Sequence, residues 1–188
     1  MTCSILKRNQ TPEQLRDMAA RNYYWYLRSR SYVETFLKST AGIVNRLGSS
    51  CLDVGCGEGR LAQFITVPYL GIDASEEAIT AAKCVNRKQP HLRFQVARLE
   101  EFDSDETFSV IVFSGMLYAL VNLDAYVPLL EKYLRFSPDY FVVCDLQKLD
   151  TADIDKRFKC IQQFHGEAAV PNLEIVKQRR KVLVYQCN

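Results

Sequence analysis

Two kinds of hydrophobic spacing alternate along the chain. Short apolar runs at residues 51–54, 69–72, 92–97, 109–113 and 140–144 have the length of strands, and the nearly unbroken one at 109–113 reads as a central strand covered on both faces. Between them, apolar residues recur every three or four positions. Residues 11–47 carry that helical pattern through Leu15, Met18, Ala19, Tyr26, Val33 and Leu37, opening on Thr11-Pro12-Glu13, a cap with proline in the first turn. The segment is long for one helix, so a break is expected near residues 29–31. Gly48-Ser49-Ser50 then turns into the first strand. A second helix is expected from a Ser75 cap to about Lys88, with Glu76 and Glu77 at its positive end and Gln89-Pro90 stopping it. Residues 99–102 read as a short turn or helix. Leu129, Leu130, Tyr133 and Leu134 mark a further helix whose start Pro128 leaves open. Residues 153–164 read as helical. Residues 173–176 and 182–185 read as two closing strands, joined by the basic turn Lys177-Gln178-Arg179-Arg180-Lys181.

Strands alternating with helices imply an α/β fold with a parallel sheet built by right-handed crossovers. The closing pair must be antiparallel, because so few residues separate its strands. With 188 residues, 48% hydrophobic and 24% charged, a single soluble domain spanning 1–188 is expected. A net charge of +2 does not select a nucleic-acid partner. No start resembles a signal peptide and no apolar run has the length to span a bilayer, so no membrane association is expected. The seven cysteines form no C-x-x-C pair, which argues against a disulfide framework or zinc site and for a reducing, cytoplasmic setting.

The stretch that carries chemistry is Leu52-Asp53-Val54-Gly55-Cys56-Gly57-Glu58-Gly59-Arg60-Leu61. A strand enters a loop with glycine at every second position, and Leu61, Ala62, Phe64 and Ile65 begin a short helical pattern. Such glycines let the chain turn sharply and bring bare backbone to a ligand. The spacing is G-x-G-x-G behind an acid, not the G-x-G-x-x-G of a dinucleotide site. It resembles motif I of class I S-adenosylmethionine-dependent methyltransferases, D-x-G-x-G-x-G. A parallel sheet finished by a hairpin is likewise similar to that family's Rossmann-like, seven-stranded, mostly parallel sheet with helices on both faces. The resemblance runs from about Cys51 to the C-terminus. It implies an N-terminal helical cap over the active site (1–47) and a cofactor-binding core (48–188).

In doubly wound sheets, ligands bind beyond the carboxyl ends of the strands. The resemblance implies that Gly55, Cys56, Gly57 and Gly59 approach the methionine portion of S-adenosylmethionine, and that Asp53 orients the loop or holds the cofactor's ammonium. Asp73, at the end of the second strand beside Ala74, is then the acid for both ribose hydroxyls, since a carboxylate offers two acceptor oxygens to a vicinal diol. After the third strand the family commonly carries an acid for the adenine amino group. Arg98 stands there instead, so the backbone of Leu99 and apolar packing are expected to hold adenine, with an inward-turned Glu100 as the alternative.

The run Phe108-Ser109-Val110-Ile111-Val112-Phe113-Ser114-Gly115-Met116-Leu117-Tyr118-Ala119-Leu120 is similar to motif IV of small-molecule methyltransferases, with Ser109 in place of the usual acid and Ser114 joining the cofactor set. The N-P-P-Y signature of amino-group DNA and protein methyltransferases is absent. So are the clustered carboxylates of a magnesium site, and no metal is expected. Three catalytic candidates follow from the resemblance. Tyr118 is expected near the sulfonium and acceptor. Tyr24 represents the aromatic cluster Tyr23-Tyr24-Trp25-Tyr26, whose rings suit a cation. His165, before Gly166, is the candidate base. If the sixth strand runs parallel to the others, the basic turn with Arg28 and Arg30 emerges on the cofactor edge and attracts an acidic acceptor.

The expectation is therefore a cytoplasmic methyltransferase, monomer or homodimer, that uses S-adenosylmethionine and releases S-adenosylhomocysteine. It methylates oxygen or nitrogen of a small-molecule acceptor. Two alternatives stay open. An RNA or nucleotide-end methyltransferase is favoured by the basic turn. A non-catalytic binding protein retaining the fold is favoured by the replaced acids at Arg98 and Ser109.

Overall fold

The computed structural model describes residues 30–114, 126–146, 152–167 and 179–187. In chain order the elements are α1 (Arg30–Leu47), β1 (Cys51–Val54), β2 (Tyr69–Asp73), α2 (Glu76–Val85), β3 (Leu92–Val96), β4 (Val110–Ser114), α3 (Tyr126–Tyr133), β5 (Tyr140–Leu146), α4 (Ala152–Arg157), β6 (Lys159–Glu167) and β7 (Arg179–Gln186). The strands form one seven-stranded sheet in the order β3-β2-β1-β4-β5-β7-β6. The first five pair in parallel, and β7 runs antiparallel to both β5 and β6. The sheet is thus mostly parallel with an antiparallel C-terminal end, as the sequence pattern implies. Strand order reverses between β1 and β4, which opens a crevice at the carboxyl edge there.

Alternation along the strands divides the core in two. Cys51, Tyr69, Val110, Val112 and Val142 pack against α1 and α2, while Leu52, Val54, Ile111, Phe113 and Phe141 pack against α3 and α4. In β4 all four residues from Val110 to Phe113 are buried, because helices cover both faces. Each such side chain removed from water contributes roughly 1.5–3 kcal/mol before entropy is counted. On the second face Phe113, Tyr133, Phe136, Phe141 and Phe158 stack with ring centroids 5.4–5.8 Å apart, mostly edge to face. Phe36, Leu37, Ala41, Ile43 and Val44 of α1 are buried in the first core. Part of the segment expected to cap the site is therefore a structural layer, and residues 1–29 lie outside the described residues.

Several expected boundaries move. The helix after the glycine loop is a single 3-10 turn, Ala62–Phe64. Asn45 ends it by donating to Phe64 O (2.9 Å) and accepting from Thr66 N (2.9 Å), and Pro68 then holds Val67 out of the helical region. α2 stops at Val85, capped by Asn86 rather than running to Lys88. Pro128 falls in the first turn of α3, where its missing N–H costs nothing. Asp145 lies within β5 rather than beyond it.

The largest correction concerns residues 153–164. Only Ala152–Arg157 is helical, and β6 begins at Lys159. Buried Ile154 and Phe158, four apart, mimic a continuing helix. The next residues, 159–163, are all exposed on an edge strand, and a bulge between Cys160 and Gln162 breaks the two-residue period. Among the described residues the strand before β7 is β6; the strand expected at 173–176 lies outside the described residues. Arg179, Arg180 and Lys181 open β7 instead of forming a hairpin turn.

Candidate cofactor site

Beyond β1 the backbone enters the left-handed region three times, at Gly55 (φ 74°), Gly57 (φ 53°) and Gly59 (φ 68°). Any side chain is strained there, which explains the alternating glycines. The amides of Gly55 and Cys56 both donate to Ile72 O (2.8 and 2.9 Å), pinning the loop to β2, and Gly59 N closes a turn on Cys56 O (3.1 Å). The loop has an open side and a packed side. Among the described residues, nothing lies within 4 Å of where a Gly57 Cβ would stand. A Cβ on Gly59 would meet Asn86 Nδ2 and Phe94 Cε1 at 2.8 Å. Asn86 donates to Gly59 O (3.3 Å) and Ala82 O (2.9 Å), so it holds the loop from behind.

Asp73 ties this loop to the neighbouring strand. Its Oδ2 accepts from Gly57 N (2.9 Å) and its Oδ1 from Ser75 N (2.9 Å). Ser75 caps α2 by accepting from Ala78 N (3.1 Å), so capping does not depend on Asp73. The carboxylate is partly exposed, and each oxygen keeps a second lone pair.

Asp53 is only 1% exposed, in β1 opposite Gly71. Tyr69 Oη donates to its Oδ2 (2.7 Å), while Oδ1 has no partner among the described residues. Bare Gly71 makes room for this: a Cβ there would lie 2.8 Å from Cys56 Sγ and 2.9 Å from Tyr69 Oη. Burial pushes the Asp53 carboxyl up to about 7; the Tyr69 hydrogen bond opposes the rise, and the charge of Asp73 adds to it. Burial, reinforced by both aspartates, also drives the Cys56 thiol far up, so Cys56 packs as an uncharged hydrophobe.

After β3, Ala97 N donates to Asp73 O (2.9 Å), and Glu101 N and Phe102 N both close on Arg98 O (3.0 and 2.9 Å). The Arg98 side chain does not enter the site. It is exposed and pairs with Glu101 (3.4 Å) and Glu100 (4.0 Å), and Glu100 is exposed too rather than turned inward. Leu99 is partly buried, and its carbonyl accepts from Tyr133 Oη (3.0 Å) and Lys132 Nζ (3.4 Å).

Ser109 sits at the opposite, amino edge. Its Oγ accepts from Ser49 N (2.8 Å) and Ser50 N (2.9 Å) and donates to Ser50 O (2.9 Å), fastening the turn into β1. Ser114 ends β4 on the carboxyl edge opposite Cys144, and Ala74 is exposed between Asp73 and the α2 cap. Tyr118 and Tyr24 lie outside the described residues. His165 is in β6, opposite Lys181 of β7. Four strand spacings, roughly 19 Å, separate β6 from β1, so the backbone of His165 is not brought to the loop. Arg179–Lys181 start β7 on the carboxyl edge, since β6 does run parallel to β5.

Gly55, Gly57, Gly59, Asp53, Asp73 and Ser114 thus lie at the carboxyl edge around the reversal of strand order, and Leu99 follows β3 on the same edge. An open flank at Gly57, an unpartnered buried oxygen on Asp53 and spare lone pairs on Asp73 fit a ligand with a cationic amine and a vicinal diol. S-adenosylmethionine carries both. Fold and loop together define a class I S-adenosylmethionine-dependent methyltransferase.

Comparison with known proteins agrees. The family model described as Methyltransferase domain matches residues 46–184, and the chain belongs to that family. The mitochondrial ubiquinone biosynthesis O-methyltransferase of Homo sapiens is 29% identical over 105 residues, covering 51% of this chain. The match spans only 28% of that relative's length. The N-methyltransferase NodS from Bradyrhizobium japonicum WM9, in complex with S-adenosyl-l-homocysteine, superposes with a TM-score of 0.65 at 16% identity over 81% of this chain and 84% of its own. A putative RNA methyltransferase, PH1948 from Pyrococcus horikoshii, gives 0.60 at 12% identity, covering 82% and 81%. At such identities these structures are similar in fold, and the fold does not choose among their acceptors.

Sequence reasoning missed the supports behind the loop. Tyr69 and Gly71 share a strand face with Asp73, a parity readable from the period of two, but the register that sets Tyr69 beside Asp53 is not. Asn86 and Tyr133 gave no local signal, being 27 and 34 residues from the groups they hold.

Proposed function

We propose that the chain transfers a methyl group from S-adenosylmethionine to an oxygen or nitrogen atom of a small-molecule acceptor. The observation that carries this is the glycine loop, fastened by its Gly57 amide to Asp73 and open on its other flank. Gly55, Cys56, Gly57 and Gly59 would line the methionine portion, and Asp53 Oδ1 would face the ammonium. Asp73 would accept from the ribose hydroxyls with Ala74 beside it, and the Leu99 main chain would border adenine. Ser114 would close the site from β4. Bound there, the cofactor supplies an electrophilic sulfonium methyl. What the chain contributes is alignment and exclusion of water. Tyr118, which follows β4 in sequence, and Tyr24 of the N-terminal aromatic cluster, both outside the described residues, are the groups assigned to the acceptor. Arg98 takes no part, and the distance of β6 argues against His165 as base. The buried thiol of Cys51 suits a reducing cytoplasm.

Arg179–Lys181, which start β7 on the carboxyl edge, keep an RNA acceptor as the second reading; the other basic cluster among the described residues adds nothing to it. A cleft of about 350 Å³ lined by Lys83, Arg87 and Arg93 lies between the end of α2 and the start of β3, behind the packed side of the loop, where Asn86 and Phe94 also line it. A backbone-tracking basic surface would need to lead to the site. The test uses methyl-labelled S-adenosylmethionine with the protein and a cell extract split by size. Label should enter the low-molecular-weight fraction. Label confined to precipitable RNA or protein would overturn the small-acceptor reading.

A further inference from the structure

We infer that Tyr133, aided by Lys132, is the positioning residue for adenine recognition in this chain; the inference rests on the reading that the Leu99 main chain borders adenine. Where a carboxylate would ordinarily be available, this chain has Arg98, and its side chain is spent on Glu100 and Glu101 in solvent. Recognition then falls to backbone amides, which are useful only if their peptide planes are fixed.

Two sets of bonds fix them. Arg98 O is held by the amides of Glu101 and Phe102. Because the peptide is planar and trans, the Leu99 N–H must point the opposite way, out of the turn. The next plane is held by α3: Tyr133 Oη and Lys132 Nζ both donate to Leu99 O, and Lys132 Nζ also reaches Glu100 O. That aims the Glu100 N–H away from α3 by the same geometry. Neither the Leu99 nor the Glu100 amide has an acceptor among the described residues.

Tyr133 is suited to the task because it cannot move. Its ring is fully buried, edge-on to Phe113 (5.5 Å between centroids) and against Phe136 (5.6 Å). Phe113 immediately precedes Ser114 at the carboxyl end of β4, so one side chain fixes the adenine turn relative to the floor of the site.

The test compares S-adenosylhomocysteine with its 1-deaza analogue, in which the adenine N1 acceptor is replaced by C–H, by titration calorimetry. The wild type should bind the parent about tenfold more tightly, the worth of one well-placed hydrogen bond. In Tyr133→Phe, affinity for the parent should fall about fivefold to tenfold while affinity for the analogue stays put, so discrimination collapses. Lys132→Met, at a more exposed position, should move both in the same direction by less. Tyr185→Phe serves as a control, since Tyr185 is another buried tyrosine on this face, donating to Asp155 (2.9 Å); it should lower stability and leave the ratio intact. Equal weakening of both ligands by Tyr133→Phe, or an unchanged ratio, would reduce Tyr133 to packing. A wild type that binds both ligands equally would overturn the Leu99 reading and the positioning role with it. Binding of neither would overturn the cofactor site itself.

Discussion

Asp53 is a carboxyl group held where water does not reach, with a tyrosine on one oxygen and no partner among the described residues on the other. Its pKa, raised from 3.8 to about 7, has a consequence for the protein without ligand. A raised folded-state pKa means the folded chain binds the extra proton between those values. The stability contribution is complete below about pH 4 and is lost as pH rises through about 7. Asp53→Asn keeps an acceptor for Tyr69 and removes the charge. In urea unfolding the difference between wild type and variant should grow across that window, with the variant ahead at pH 8 by on the order of a few kcal/mol. Parallel pH profiles for the two proteins would refute the assignment. An ionised Asp53 would also serve a bound ammonium better, so cofactor affinity should rise over the same interval.

At the scale of elements, the loop between β1 and the 3-10 turn is where local sequence and architecture agree most closely. Its glycines share a backbone requirement but not an environment, which separates two substitutions. Gly57→Ala places a methyl on the open flank: about 1–2 kcal/mol of left-handed strain, and a large loss of cofactor affinity. Gly59→Ala adds contacts at 2.8 Å with Asn86 and Phe94, so it should be clearly less stable than Gly57→Ala in urea. Equal stability losses would contradict the two-sided picture. The same loop shows what was legible. The bounds of β1, the glycine spacing, the Ser75 cap and the acid ending β2 all declare themselves within a few residues, because turn chemistry and period-two burial are local. β6 did not declare itself, since an exposed edge strand carries no apolar alternation. The roles of Tyr69, Asn86 and Tyr133 are set by register and helix packing, which no window of sequence contains.

For the whole molecule, the two departures from the family pattern lose their force as arguments against a working site. Ser109 fastens a turn at the amino edge, and Arg98 faces solvent. Neither touches the loop, Asp53 or Asp73. What the fold brings together at the reversal of strand order is a bare-backbone loop, a tethering acid and a buried, half-satisfied one. The measurement that tests this most directly is titration calorimetry with S-adenosylmethionine and S-adenosylhomocysteine on the wild type and Asp73→Asn. Asparagine cannot serve both the Gly57 and Ser75 amides and a diol as an acceptor. Micromolar binding of both ligands, weakened at least about tenfold in the variant, is the expected result. No heat with either ligand, or an affinity that Asp73→Asn leaves unchanged, would contradict the account.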